Sequence, residues 1–274
     1  IVNSDGEILA VLPRTPAGEK WQQAVQEATS VMSDARAECG KDPTLVHRRG
    51  AYCTVVDGWS YGGGQPHPMK LVEKTVRAKR ALQKLRQSPA VQKIAGFGDN
   101  CLKTHAPDLY AHYETTRSMI EEQFPELERV FTNSVFASTT FNLGPRTVTF
   151  AHRDHQNLPF GWCCVTALGD FDDTKGGHLI LWDLMLVIRI PSGATYLIPS
   201  AILKHSNVDI ASGETRMSVT QYSAGGLFRW VACGMRSQAA YAQDGNKMLP
   251  GEDRWKEGIA LLRKWSGYAD KPMP

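Results

Sequence analysis

The sequence has no apolar run approaching the length of a membrane span, so no bilayer-crossing segment is expected and no membrane partner is implied. It has few cysteines. Cys39, Cys53, Cys101, Cys163, Cys164 and Cys233 form no C-x-x-C pair, which argues against a zinc knuckle. Cys163 and Cys164 fall in an apolar stretch, where a strand sends one thiol to each side. Two buried free thiols fit a reducing compartment. Internal repeats, low-complexity tracts and a secretory signal are also missing. The first residue is Ile1 rather than Met, as expected of a fragment. Net charge is only +3, so no overall polybasic character marks the chain. What is there is a globular composition. The 274 residues are 42% hydrophobic and 22% charged, long enough to bury a sizeable core as one domain.

The charge is unevenly spread. Residues 41–105 hold 12 Lys or Arg against 4 Asp or Glu. They include His47-Arg48-Arg49, a glycine-rich loop at 58–68 with Trp59 and Tyr61, and a run of cations from Lys70 to Arg86. Leu71, Val72, Val76, Leu82 and Leu85 give that run an apolar stripe, which predicts a helix. Its cations form either a solvated face or a surface that touches phosphates, with Arg48, Arg49, Lys74, Arg77 and Lys84 as the candidate contacts.

Other segments read as supports. Glu7 to Leu12 is strand-like. Thr15-Pro16 supplies an N-cap and first helical residue for a helix that Gly40 closes. Trp21, Ala24, Val25, Ala28, Val31, Met32 and Ala35 form its stripe. Residues 107–129 predict a second helix, 236–250 a loop, and 251–268 a last helix carrying Trp255, Ile259, Leu261, Leu262 and Trp265.

Between 130 and 235 short β-like runs alternate with turns such as Gly176-Gly177 and Pro191-Ser192-Gly193. That spacing suggests a sandwich or barrel. Thr147 to Ala151 reads as a short strand delivering His152 and Asp154. Residues two apart on a strand share a face, so the pair can converge on one point. A neutral imidazole and a carboxylate are two-thirds of a 2-His-1-carboxylate metal site. Eight histidines at ordinary Asp usage give about 0.4 such pairs by accident, so the pair alone decides little. Downstream, His205 stands in a polar island, and Arg216 and Ser218 share one face of a later strand. A guanidinium aimed into a barrel needs an anionic partner, and its fork suits a carboxylate.

The order of these residues resembles the core of Fe(II)/2-oxoglutarate dioxygenases. More narrowly, it resembles the TET/JBP branch and its basidiomycete fungal members. The resemblance spans roughly residues 130–235. It rests on Phe141 to Thr147, His152-Arg153-Asp154 with Asn157, Gly176-Gly177-His178-Leu179, Ile198-Pro199-Ser200, His205-Ser206-Asn207, Glu214 to Ser218 and Gly225 to Trp230. Plain prolyl-hydroxylase-like members lack the Asn that follows the metal pair.

The resemblance implies an α+β fold, with a double-stranded β-helix (jelly-roll) core at 130–235 and flanking helices packed on it. The whole chain, 1–274, is then one dioxygenase domain, mainly helical over 1–129 and closed by a loop and helix at 236–274. It implies that His152, Asp154 and His205 hold Fe(II), and that Arg216 and Ser218 take the far carboxylate of 2-oxoglutarate, with O2 as the other co-substrate. Asn142 and Arg146 are candidates for the inner end of the co-substrate or the base pocket. Asn157 sits at the position that hydrogen-bonds the target base, and His155 and Phe160 are further pocket candidates. The implied partner is duplex DNA carrying methylated bases, acted on by a monomer in the nucleus. Oxidation of 5-methylcytosine to 5-hydroxymethylcytosine and beyond is the first expectation, and demethylation of N6-methyladenine the second. A protein or small-molecule hydroxylase on the same core is the alternative.

Overall fold

The computed structural model describes residues 1–40, 42 and 46–264. Four helices come early: α1 (Glu19–Cys39), α2 (Val76–Gln87), α3 (Pro89–His105) and α4 (Pro107–Gln123). The expected stripe of α1 is real: Trp21, Ala24, Ala28, Met32 and Ala35 are buried, and Gly40 ends the helix in the left-handed region. Its start is later than Thr15-Pro16. Gly18 at φ 111° is the N-cap, a conformation that turns the chain out of helical geometry. The basic run also begins its helix later. Thr75 caps α2 by accepting from the Ala78 amide at 3.1 Å, so Leu71 and Val72 fall outside it. Val76, expected in the stripe, is exposed; Ala78, Ala81, Leu82 and Leu85 are the buried positions. Helix α3 has no counterpart in the sequence reading. Its signal is Ser88-Pro89, with the Ser88 hydroxyl capping the Val91 amide and Pro89 at the first turn.

The strands are β1 (Val46–His47), β2 (Gly50–Ala51), β3 (Cys53–Ser60), β4 (Met69–Lys70), β5 (Ser138–Gly144), β6 (Cys163–Asp170), β7 (Leu179–Leu181), β8 (Leu186–Ile188), β9 (Thr195–Ile198), β10 (His205–Asn207) and β11 (Thr215–Tyr222). Six make one antiparallel sheet in the order β4-β3-β5-β11-β6-β9. Three make a smaller antiparallel sheet, β10-β7-β8, and β1 pairs with β2 as a separate hairpin. The strand expected at Thr147 to Ala151 is absent. That stretch joins no ladder; it is held by bridges at its two ends, Arg146 to Arg216 and His152 to His205, and by hydrogen bonds from Thr147 to Arg216, Thr149 to Asn207 and Phe150 to Arg49. Likewise, Glu7 to Leu12 forms isolated bridges, such as Val11 to Leu197.

The large sheet has two different faces, set by the period-two alternation of its strands. In register, Phe141 lies opposite Val219, and Asn142 opposite Ser218. Phe141, Leu143, Leu168, Met217 and Val219 pack with the buried stripes of α1, α2 and α3 in one cluster. The intervening residues, Thr140, Asn142, Arg216, Ser218, Thr220 and Tyr222, therefore point to the other face. There Cys163, Val165, Ala167, Tyr196 and Ile198 of the large sheet pack with Leu179 and Leu181 of the small one. The chemistry-bearing side chains thus lie between the sheets, and α1–α3 back the sheet from outside. Cys163 and Cys164 do face opposite sides. All six cysteines are buried and none is in a disulfide, Cys39 and Cys53 meeting sulfur to sulfur at 3.1 Å.

After β11 come α5 (Gly225–Ala232), α6 (Gln238–Gln243) and α7 (Gly251–Ile259). The segment expected as loop therefore contains one short helix. The last helix stops at Ile259, and Trp265 lies outside the described residues.

Candidate metal centre

His152, Asp154 and His205 meet at the edge of the small sheet. One potential ligand atom from each lies within 4.8 Å of the others. The backbone sets this up. His152 and His205 exchange both of their backbone hydrogen bonds, at 3.0 and 2.9 Å, which brings their ring centres to 4.3 Å with the planes tilted by 50°. The Asp154 amide donates to the Ser200 carbonyl at 2.8 Å and brings its carboxylate between them. Nε2 of His152 is 3.7 Å from one carboxylate oxygen, and Nε2 of His205 is 4.0 Å from the other.

The tautomers follow from the other ring nitrogens. Nδ1 of His152 lies 2.7 Å from the Phe150 carbonyl, and Nδ1 of His205 lies 2.8 Å from the Leu203 carbonyl. A carbonyl only accepts, so each Nδ1 carries the proton and each Nε2 presents a lone pair. Orienting bonds of this kind are usual behind metal-bound histidines. Burial lowers the pKa of both rings, and for His152 the neighbouring His205 adds to the effect. Both are therefore neutral, as ligands must be. Two imidazoles and a carboxylate on one face are the ligand set of a non-haem Fe(II) site.

Arg49 was a candidate phosphate contact, but its guanidinium is hydrogen-bonded to the Asp154 carboxylate. The carbonyl of Arg49 also accepts from the Phe150 amide at 2.8 Å, tying the β1–β2 turn to the metal stretch. Arg49 is thus a second-layer partner of a ligand.

Behind the triad, Arg216 is 2% exposed. One nitrogen donates to the Thr147 carbonyl at 3.1 Å, its Nε is buried with no partner, and no carboxylate pairs with it among the described residues. The Thr147 hydroxyl is likewise buried and unpaired. Burial lowers the pKa of Arg216, and Tyr196 and Tyr52 partly oppose this, Tyr196 also through a hydrogen bond to the guanidinium. A buried cation without a counter-charge is costly, and an anionic ligand would satisfy it. Ser218 and Asn142 stand on the same face. Nδ2 of Asn142 donates to the Ser218 hydroxyl oxygen at 2.8 Å, which leaves the hydroxyl proton free to donate elsewhere. The residues present therefore fit a dicarboxylic co-substrate whose far end reaches Arg216. Buried Tyr52, its hydroxyl pKa pushed up to about 12 chiefly by burial, lies near Arg49, Arg216 and Asp154. No spacing in the sequence singled out Tyr52, Tyr196 or Thr147.

Other expected residues stand elsewhere. Arg146 is exposed, and its guanidinium grips the Asp209 carboxylate; only its backbone reaches Arg216. Asn157, His155 and Phe160 all line one open cavity of about 700 Å³. The Asn157 amide nitrogen donates to the Ser200 hydroxyl at 3.0 Å, and its backbone closes a turn onto Asp154. Phe160 packs against Gly258 of α7 and 5.9 Å from the His112 ring, so it holds helices together. Arg48 is exposed on the turn beside Arg49. Lys74 is exposed just before α2. Arg77 donates to the Ala37 and Glu38 carbonyls, and Lys84 pairs with the Glu38 carboxylate at 3.1 Å. Both are occupied at the end of α1, on the helix-backed side of the large sheet and away from the triad.

No family model matches the sequence, and no curated protein matches it. Solved structures do. A structure of NgTET1 in complex with 5mC DNA aligns with a TM-score of 0.57 at 17% identity, covering 82% of this chain and 75% of that one. The viral collagen prolyl hydroxylase vCPH from Paramecium Bursaria Chlorella virus-1 aligns at 0.35 with 11% identity, covering 80% of this chain and 97% of that one. A 2OG-Fe(II) oxygenase family protein from Burkholderia pseudomallei aligns at 0.36 with 14% identity, covering 77% and 94%. The chain is therefore similar in fold to NgTET1, and on that fold it carries a His152, Asp154, His205 cluster with the ligand set of a metal site and, behind it, a buried arginine that no carboxylate pairs with among the described residues.

Proposed function

We propose that the chain is an Fe(II)- and 2-oxoglutarate-dependent dioxygenase that oxidises the methyl group of a methylated nucleobase in duplex DNA. The observation that carries the oxygenase reading is the pairing of the triad with Arg216, a buried guanidinium whose Nε has no partner, on the same inner face. The two antiparallel sheets that pack face to face support a double-stranded β-helix core. When bound, iron and 2-oxoglutarate supply the O2 chemistry that places oxygen on a C–H bond.

The chain's own residues do the rest. His152 and His205 present Nε2 lone pairs because their Nδ1 protons are held by carbonyls. Arg49 holds one side of the Asp154 carboxylate. Arg216 and the Ser218 hydroxyl bind the far carboxylate, with Asn142 setting the direction of that hydroxyl.

The DNA reading draws support from two sources. NgTET1, whose fold this chain shares, was solved with 5mC DNA. Asn157, three residues beyond Asp154, lines the open cavity next to the metal stretch, a cavity whose lining includes none of the triad; its Nδ2 is held by the Ser200 hydroxyl and its Oδ1 accepts no hydrogen bond among the described residues. An amide that both donates and accepts suits a base edge. The first substrate we propose is 5-methylcytosine, oxidised to 5-hydroxymethylcytosine and beyond; N6-methyladenine is the second. The proposed setting is a monomer in the nucleus.

The test is mass spectrometry of nucleosides after incubating methylated duplexes with protein, Fe(II) and 2-oxoglutarate. Oxidised bases appearing with succinate support the reading. Succinate formed with a peptide or small-molecule substrate, and no altered base from any duplex, would replace it with the hydroxylase alternative.

A further inference from the structure

A methyl group inside a stacked duplex is out of reach of a metal held by His152, Asp154 and His205, so the base has to leave the stack. The space it vacates must be filled, or the base falls back.

The hairpin between β7 and β8 has the composition and the position to fill it. Its tip carries Trp182, Met185, Leu186 and Val187, all exposed, with Met185 at 92%. A run of large apolar side chains held in water marks a contact surface rather than chance. Met185 adds a second oddity. Its φ is 53°, the left-handed region that favours glycine or asparagine. A bulky apolar residue stands where the backbone favours Gly and the solvent favours a polar group.

The tip is also fastened to the metal stretch. Leu181 lies opposite His205 in register, so the hairpin emerges beside a ligand. Arg153, between His152 and Asp154, donates to the Asp183 carboxylate at 2.8 Å and to the Ile202 carbonyl at 2.7 Å. The Lys204 amide donates to the other Asp183 oxygen at 2.6 Å. The Lys204 ammonium lies 5.9 Å from the centre of the Trp182 ring. An apolar knob flanked by Arg153 and Lys204 suits a polyanion with an apolar interior.

We propose that this tip enters the duplex beside the extruded base, with Met185 as the side chain that takes its place. The proposal rests on the nucleobase reading above. Unbranched and branched apolar side chains are the usual wedges between base steps.

The test compares wild type with Met185→Gly and Met185→Asn on one methylated sequence as duplex, as single strand, and as duplex with a mismatch opposite the methylated base. Both substitutions suit φ 53°, so melting temperature should hold or rise. The duplex-to-single-strand ratio of kcat/KM should fall about tenfold or more in both variants. The mismatch should restore part of the loss, because extrusion is then easier. A 2-aminopurine placed next to the methylated base should brighten less with either variant than with wild type, under anaerobic conditions where no turnover occurs. Unchanged ratios, or equal losses on duplex and single strand, overturn the wedge while leaving the nucleobase reading in place. A wild type that alters no base in any of the three substrates overturns that reading, and the wedge with it.

Discussion

Asp154 has two neighbours competing for its charge: a metal site on one side and the Arg49 guanidinium on the other. Asp154→Ala should abolish turnover while the fold survives, because the side chain is placed for ligation rather than packing. Succinate release followed beside circular dichroism checks this; wild-type-like succinate from a folded variant would remove the triad assignment. Arg216→Met tests the other half of the site and should act in two directions. Without ligand the variant should be the more stable, by about 1–4 kcal/mol, since a buried unpaired charge gives way to an apolar side chain. With ligand it should bind 2-oxoglutarate more weakly by about 2–5 kcal/mol, or roughly 30- to 4000-fold. Denaturant melts and a co-substrate titration separate the two effects; unchanged affinity would move the anchor elsewhere. The triad and Arg216 were legible because residue type and order carry them. Arg49 was not, because its partner lies 105 residues away and a basic turn in sequence looks the same whether it meets phosphate or carboxylate.

At the scale of elements, the basic run ending in α2 was read as either a solvated face or a DNA track, and its packing argues against the track. Arg77 closes the carbonyl end of α1 and Lys84 is paired there. Neutralising Lys74, Arg77 and Lys84 together should therefore lower stability, with about 1 kcal/mol from the lost bonds of Arg77. It should leave the salt dependence of DNA binding as it was. Arg48→Ala, on the turn that reaches the metal stretch, should instead flatten the slope of log K against log[salt] by about 0.9. Anisotropy titrations at several salt concentrations decide; a slope flattened only by the triple variant would return the track to α2. Elements with strong periodicity, α1 and β11 above all, were readable from sequence. The stretch at 147–152 was not, since β-branched residues in alternation describe an extended chain whether or not it joins a ladder. Helix α3 was hidden because glycines and small residues at its buried positions, Gly96 and Gly98 among them, weaken any apolar stripe.

For the whole molecule, packing against the helices and the proposed chemistry are divided between the two sides of one sheet. Filling the inner side should stabilise a protein whose outer side is already packed. A ligand at 100 times its Kd adds about 2.7 kcal/mol, or on the order of 5 °C in melting temperature. Calorimetry under anaerobic conditions should show one increment for Fe(II) and a further one for 2-oxoglutarate, with Arg216→Met keeping the first and losing the second. Loss of both would mean that the variant disturbs the triad itself. Strand β11 carries this division along its own length. Arg216, Ser218, Thr220 and Tyr222 belong to one side, and Met217, Val219 and Gln221 to the other. A saturation library across the strand, sorted once for cellular abundance and once for product, should therefore split by parity. Odd-numbered positions should lose the protein and its product together. Even-numbered ones should keep the protein and lose only the product, so that the proposed working surface could be traced by counting residues in twos.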